Sequence, residues 1–220
     1  MPKIKQVVPP ITIAVVGPHY SGKSSLCGIL ETEFGFKTVK EEWWKDPYRT
    51  EDKSQRDYFR SQMWFLTQTS SSLQKAQKLN AQGHPVVLDT FYYSTLIFGE
   101  TKLSQQDFTV FKDILDLVSG AIPLPDLVIY LHADPEFLFS VRKAQRVAQQ
   151  TGPKGEENTP WDWYQSICHL NDKYFSHWDK TPLFRVDTQV VNVLDKSEVE
   201  KNIIKPINEL LRNKKNRKTE

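Results

Sequence analysis

Apolar residues along this chain fall into short unbroken runs and longer periodic stretches, and the two kinds alternate. "ITIAVV" (11–16) is a continuous, mostly β-branched run that predicts a buried strand. "KSSLCGILETEFG" follows with helical spacing and ends on Gly35. "FKTVKE" predicts a second strand. A long helical stretch runs from about Ser54 to Gln82, with Phe59, Met63, Phe65, Leu66, Leu73 and Leu79 as its apolar contacts and Gly83 as its stop. "HPVVLDT" (84–90) predicts a third strand and "FTVFKDILDLVSG" a further helix. "PDLVIYLHA" predicts a fourth strand entered through a Pro-Asp turn. "DPEFLFSVRKAQRVAQQ" returns to helix, with Asp134 as N-cap and Pro135 at the first helical position. "TPWDWYQSICHLNDKYFSHW" predicts another helix, "PLFRVDT" a fifth strand, and about Ser197 to Asn213 the last helix.

Strands that alternate with helices predict a parallel sheet covered on both faces. Ligands of such sheets bind at the carboxyl ends of the strands, so chemistry is expected there. No internal repeat or low-complexity linker divides the chain, and 220 residues suit one domain with a substantial core. The expectation is a single domain over 1–220.

Composition narrows the partners. Charged residues make up 25% and hydrophobic residues 39%, both globular values. A net charge of +2 does not point to a nucleic-acid partner. The concentrated positive charge of "RNKKNRKTE" (212–220) reads as a solvated basic tail. No apolar run approaches the ~20 residues that cross a bilayer, and "MPKIKQVVPP" has no apolar signal core, so no membrane role is expected. Cys27 and Cys168 have no metal-like spacing and read as buried thiols of a reducing compartment, which predicts a cytoplasmic location.

"GPHYSGKS" (17–24) matches G-x-x-x-x-G-K-[ST] and lies between a predicted strand and a predicted helix, as that motif requires. Glycines at 17 and 22 permit backbone geometries that aim several N–H groups at one anion. The helix starting near Lys23 adds its own free N–H groups. Gly17, Pro18, His19, Tyr20, Ser21, Gly22, Lys23, Ser24 and Ser25 are therefore expected to cradle the phosphates of ATP. Lys23 is expected between the β- and γ-phosphates, with the Ser24 hydroxyl on Mg²⁺. The expected architecture is a three-layer α/β fold of the P-loop NTPase type, with about five parallel strands and helices on both faces.

Three further features bear on the use of that nucleotide. "VVLD" places Asp89 at the carboxyl edge of the third strand, beside the phosphate loop, as a second metal ligand. Glu41 and Glu42 follow the second strand, where a carboxylate could take a proton from an acceptor hydroxyl. Arg142, Lys143 and Arg146 lie on the helix after the fourth strand, with Arg142 and Arg146 four apart on one face. The excursion "TGPKGEEN" follows, and a lid over about 142–160 would bring guanidinium groups to a transferring phosphoryl group.

In this order the features resemble the deoxynucleoside kinase family, especially its bacterial deoxyadenosine/deoxyguanosine branch, related in fold to thymidylate kinases. The resemblance covers roughly 11–190 and rests on "EEWWKDPY", "YFRSQMWFL", "VVLDTFYYSTLIFGE", "LPDLVIYLHADPEFLFSVRKAQR" and "WYQSICHLNDKYFSHW". It implies an ATP-dependent transfer to the 5′-hydroxyl of a (deoxy)nucleoside. It also implies Glu41 as general base, Gln62 as the reader of the base, Arg142 and Arg146 as lid arginines, and Glu157 as a contact to the sugar 3′-hydroxyl. A homodimer is implied by resemblance alone. The chain departs from the pattern at Thr90 and Thr69, where relatives carry arginines. Three other readings stand beside it: a thymidylate-type monophosphate kinase, a nucleotide-binding relative with little catalysis, and a regulatory GTPase. The last lacks its Asn-Lys-x-Asp and D-x-x-G signatures.

Overall fold

The computed structural model describes residues 9–50, 57–121, 123–149 and 158–216, the side chains of 211–216 excepted. Its strands are β1 (Thr12–Val16), β2 (Lys37–Val39), β3 (Val86–Leu88), β4 (Leu127–His132) and β5 (Leu183–Asp187). All pair in parallel, in the order β2-β3-β1-β4-β5. The chain leaves β1 for one side of the sheet and, after β3, crosses to the other. The crevice at the carboxyl end of β1, between β3 and β4, is therefore the point where ligands of such sheets bind.

Helices α1 (Lys23–Phe34), α2 (Tyr58–Ala81), α3 (Tyr92–Lys102) and α4 (Gln105–Ser119) precede β4. After it, α5 (Pro135–Phe137) runs through a π-helical stretch, Leu138–Lys143, into α6 (Ala144–Ala148). Helix α7 (Trp161–Ser176) leads to β5, and α8 (Lys196–Val199) continues through a second π-helical stretch, Glu200–Ile204, into α9 (Lys205–Asn216). Asp57, Ser104 and Asp134 cap α2, α4 and α5 by accepting backbone N–H groups of the first turn.

Side-chain alternation along β1 builds the two faces. Ile13 and Val15 join Leu26, Leu30, Ile129, Val199 and Ile203 on the side of α1 and α8–α9. Ala14 and Val16 join Leu66, Leu73, Leu96, Phe111, Tyr130 and Phe175 on the side of α2, α3, α4 and α7. The long strands thus read as continuous apolar runs because both of their faces are covered. Asp126 fixes the start of β4 by accepting the Thr12 N–H at 2.8 Å.

Two features differ from the pattern reading. Helix α3 was not anticipated: Tyr92, Thr95, Leu96, Ile97 and Gly99 are all buried, so its sequence carries no polar stripe at helical spacing. Phe65 packs edge-on against Trp64, with both rings half-buried at 4.9 Å, and does not join the core as expected.

Candidate active site

The loop between β1 and α1 is held in one shape by close contacts. Gly17 has φ 146°, and a Cβ there would lie 2.3 Å from the Leu131 carbonyl oxygen of β4. Gly22 has φ 92°, and a Cβ there would lie 2.6 Å from the Val193 side chain. Both positions therefore need glycine, and the loop can lie flat on the sheet edge. Ser21 is buried and its hydroxyl donates to Pro18 O at 2.8 Å. The Tyr164 hydroxyl of α7 donates to His19 O at 2.9 Å, which ties the loop to the opposite layer. Lys23 donates to Gly17 O and Pro18 O, both at 2.9 Å, so its ammonium is folded over the loop it must serve. Burial lowers its pKa, partly offset by the charges of Asp89 and Glu41.

Two acids converge on that ammonium from β3 and β2. Asp89 follows β3 directly, and its Oδ2 accepts the Ser24 hydroxyl at 2.9 Å. Burial raises the Asp89 pKa, while Lys23 and the Ser24 hydroxyl oppose the rise. Glu41 lies just after β2, and its Oε1 accepts the Thr90 hydroxyl at 3.3 Å. Burial, reinforced by Asp89, raises the Glu41 pKa from 4.5 to about 7, against the pull of Lys23 and Thr90. Glu42 lies away from the Lys23 ammonium: it is exposed and pairs with Lys45 at 2.7 Å. Glu42 is separated from Glu41 by the turn that begins there: its backbone, at φ −99° and ψ 52°, caps the 3-10 turn Trp43–Lys45.

A narrow cleft beside Glu41 is lined by Lys40, Glu42, Trp64, Gln68, Thr69, Ser72 and Thr90, so it lies between the carboxyl end of the sheet and α2. Asp46, in the turn between β2 and α2, is buried and accepts the Ser61 hydroxyl at 2.7 Å and the Tyr48 N–H at 3.0 Å. That buried acid escaped the sequence reading. The signal was present as an Asp-Pro turn facing a serine in the first turn of α2.

Comparison with known proteins bears on what this crevice serves. The deoxynucleoside kinase family profile matches residues 13–212. This chain belongs to the deoxynucleoside kinase family. A deoxyguanosine kinase of Bacillus subtilis (strain 168) is 30% identical over 138 residues, which is 61% of this chain and 67% of the relative. A deoxyadenosine kinase of Lactobacillus acidophilus is 21% identical over 213 residues, 91% of this chain and 96% of the relative. The same fold is found in a deoxyadenosine kinase from M. mycoides solved with bound dCTP, with TM-score 0.69 and 21% identity over 90% of this chain and 100% of that one. A second structure of that kinase, with bound dATP, gives TM-score 0.68 and 22% identity over 91% of this chain and 98% of the other.

The other expected site residues of this deoxynucleoside kinase are distributed unevenly. Gln62 is buried on α2, and its Oε1 has no hydrogen-bond partner, an acceptor left open inside the protein. Thr69, two turns further on, is also buried. Arg142 donates to Thr188 O at 3.4 Å and stands over the Phe137 ring, which turns it toward the loop after β5. Arg146 instead bears on the phosphate loop, where its charge lowers the pKa values of His19 and Lys23. Lys143 turns inward, its Nζ lying 3.9 Å from the Phe139 ring centre. Glu157 and much of the excursion around it lie outside the described residues.

Among the aromatics that follow β2 and β3 or lie on α2, Phe91 and Tyr92 are buried, Phe59 and Tyr93 pack against the core, Trp64 and Tyr48 are half-buried, and Trp43 and Trp44 are exposed. Cys27 and Cys168 are both buried free thiols.

Proposed function

We propose that this chain transfers the γ-phosphoryl group of ATP to the 5′-hydroxyl of a deoxynucleoside, giving the 5′-monophosphate and ADP. The observation that carries the reading is Glu41: a carboxylate on the acceptor side, raised to about 7, beside the Lys23 ammonium and the strand-end acid Asp89. A base of that affinity is close to balanced between accepting and releasing a proton at neutral pH, which suits general base catalysis.

The steps assigned to this chain follow from placement. The N–H groups of the phosphate loop and of the first turn of α1 bind the donor phosphates. Glu41 takes the 5′-hydroxyl proton as the O5′–Pγ bond forms and the bond from Pγ to its bridging oxygen breaks. Thr90 donates to Glu41 and so orients the carboxylate. Lys23 and Arg146 supply positive charge where negative charge collects on the transferring group.

Ser24 and Asp89 bring a hydroxyl and a carboxylate oxygen within 2.9 Å of each other next to the loop, a hard-oxygen pair that fits Mg²⁺. Bound there, Mg²⁺ would neutralise phosphate charge. The cleft beside Glu41 carries two carboxylates and one lysine, so it suits a nucleoside better than an acceptor that already bears a phosphate.

A cytoplasmic location and a homodimer belong to the same reading. No helix among the described residues is long and apolar enough to cross a membrane. Val110, Leu117 and Val118 leave apolar surface exposed on α4 that a second subunit could cover.

The test is direct. Purified protein is incubated with labelled ATP and Mg²⁺ against a panel of deoxynucleosides, ribonucleosides and their monophosphates. Label in a deoxynucleoside monophosphate supports the proposal. Label in diphosphates alone identifies a monophosphate kinase, and no transfer to any acceptor refutes both.

A further inference from the structure

Tyr20, the fourth residue of the phosphate loop, has φ 68°, and among the described residues it is the one non-glycine with a positive φ. The Ser21 N–H donates to Pro18 O at 3.4 Å, and the Ser21 hydroxyl donates to the same oxygen at 2.8 Å. Pro18 to Ser21 thus form a tight turn with Tyr20 at its third position, where a positive φ calls for glycine or asparagine. A bulky side chain there is strained, and such strain persists only where surrounding contacts hold it in place.

The contacts that hold it lie outside the loop. The Tyr20 ring centre is 5.3 Å from that of Tyr164 on α7, with the rings inclined at 37°. Tyr164 is fully buried and its hydroxyl donates to His19 O at 2.9 Å, so one side chain holds both central residues of the turn. The Tyr164 ring lies in turn 5.1 Å from that of Phe139, in the π-helical stretch that carries Arg142 and runs on into α6 with Arg146. Tyr20, Phe139, Leu138, Tyr164 and Cys168 pack in one apolar cluster, distinct from those on the two faces of the sheet. Tyr20 is the member of that cluster drawn from the phosphate loop.

Ring burial and backbone strain oppose each other at Tyr20. While α7 and the arginine-bearing helix hold the ring, the turn keeps its present shape. Once the ring is released, φ is free to return to the negative region that a tyrosine prefers, and the N–H groups of the turn are re-aimed. Two states joined in this way are linked reciprocally, so a ligand that favours the strained turn also favours the docked helix.

We propose that Tyr20 is a positioning residue, through which the docked arginine-bearing helix holds the phosphate loop ready for the donor and the bound donor holds that helix in place. This rests on the donor-binding half of the kinase reading above and not on the identity of the acceptor.

The test uses the full-length chain and three variants, Tyr20→Phe, Tyr20→Ala and Tyr20→Gly, each checked for a cooperative melt. ATP affinity is measured by calorimetry, and amide hydrogen exchange over 135–148 is followed with and without ATP. Steady-state assays then give kcat and KM for ATP. Tyr20→Ala keeps the strain and loses the ring, so ATP affinity should fall ~10-fold. Tyr20→Gly adopts the same φ freely and should recover ATP affinity to within about threefold of the wild type. Its kcat should nonetheless stay ~10-fold down, because the link to the arginine-bearing helix is gone. ATP should slow exchange over 135–148 in the wild type and in Tyr20→Phe, the variant that restores the ring, and should not do so in Tyr20→Gly. If Tyr20→Ala does not fold, the comparison of Tyr20→Phe with Tyr20→Gly decides by itself. Wild-type kcat and exchange in Tyr20→Gly would overturn the proposal in favour of an inert turn position. Tyr20→Gly as weak for ATP as Tyr20→Ala would overturn it in favour of a direct ring contact with the donor. A wild type that binds ATP and phosphorylates no nucleoside removes the kinase reading, and the affinity and exchange results then still decide this proposal. A wild type that phosphorylates nucleosides, yet whose exchange over 135–148 ignores ATP, removes this proposal alone.

Discussion

Glu41→Gln should do two opposite things at once, and the pair of effects tests whether the carboxylate is both buried and catalytic. In the folded chain burial and Asp89 raise the Glu41 pKa from 4.5 to about 7. Between those two values the folded state holds a proton that the unfolded chain has released, so stability falls as pH rises through that window and stays low above it. At ~1.4 kcal/mol for each tenfold change in proton affinity, the penalty at pH 8 would be at most ~3 kcal/mol. The side chain is only partly covered and opens on the cleft, and screening by water there reduces the figure to ~1–2 kcal/mol. Glutamine keeps the shape without the charge. Its Tm at pH 8 should exceed that of the wild type by roughly 2–8 °C, and the difference should vanish near pH 4.5. Turnover should move the other way, falling by ~10²–10⁴-fold with ATP affinity nearly unchanged. The wild-type kcat/KM should rise with pH to a plateau above about 7, because the base must be ionised to accept the proton. Thermal melts from pH 4.5 to 8.5 and steady-state assays over the same range supply both readouts. Glu42→Gln is the control, since Glu42 forms an exposed ion pair with Lys45 worth less than ~1 kcal/mol. A Glu41→Gln enzyme within threefold of wild-type turnover refutes the general base, and one with unchanged melting at pH 8 refutes the buried charge.

Three further substitutions probe the same crevice. Lys23→Ala removes the ammonium held by Gly17 O and Pro18 O, and should weaken ATP binding measured by calorimetry and lower transfer at least ~100-fold. Gln62→Leu replaces a buried, unpaired acceptor by an apolar group, so melting should stay level or rise while discrimination among nucleosides collapses in competition assays. Arg146→Ala should cut kcat far more than Arg142→Ala in steady-state assays, because Arg146 bears on the phosphate loop whereas Arg142 is directed at Thr188 O.

The amino-acid sequence alone determined what depends on near neighbours along the chain. The strand-loop-helix unit at 11–34 is legible because a phosphate-binding turn needs glycines and a lysine at fixed offsets, and those are local demands. The three central strands β1, β3 and β4 were legible because both faces of a parallel sheet are buried there, so each writes an apolar run, whereas the edge strands β2 and β5 are short or polar-interrupted. The Asp134-Pro135 helix start was legible for the same local reason. Helix α3 was not, since an element buried on most of its sides loses the polar stripe that marks a helix.

The site divides in the same way. Glu41 and Glu42 are equivalent as letters, and only the path of the chain out of β2 half-covers one and exposes the other. The proton affinity of Glu41 depends on Asp89, Lys23 and Thr90, groups that follow β3 or sit in α1 and are brought together by the β2-β3-β1 pairing. Arg142 and Arg146 share a helical face by spacing, yet the helix that carries them passes through a π-helical stretch and sends them to different neighbours. Tyr20 reads as a phosphate-loop residue until α7 sets Tyr164 beside its ring. Backbone demands are local and can be spelled in a motif. Burial, charge coupling and the facing of side chains arise between elements distant in sequence, and those the tertiary structure decided.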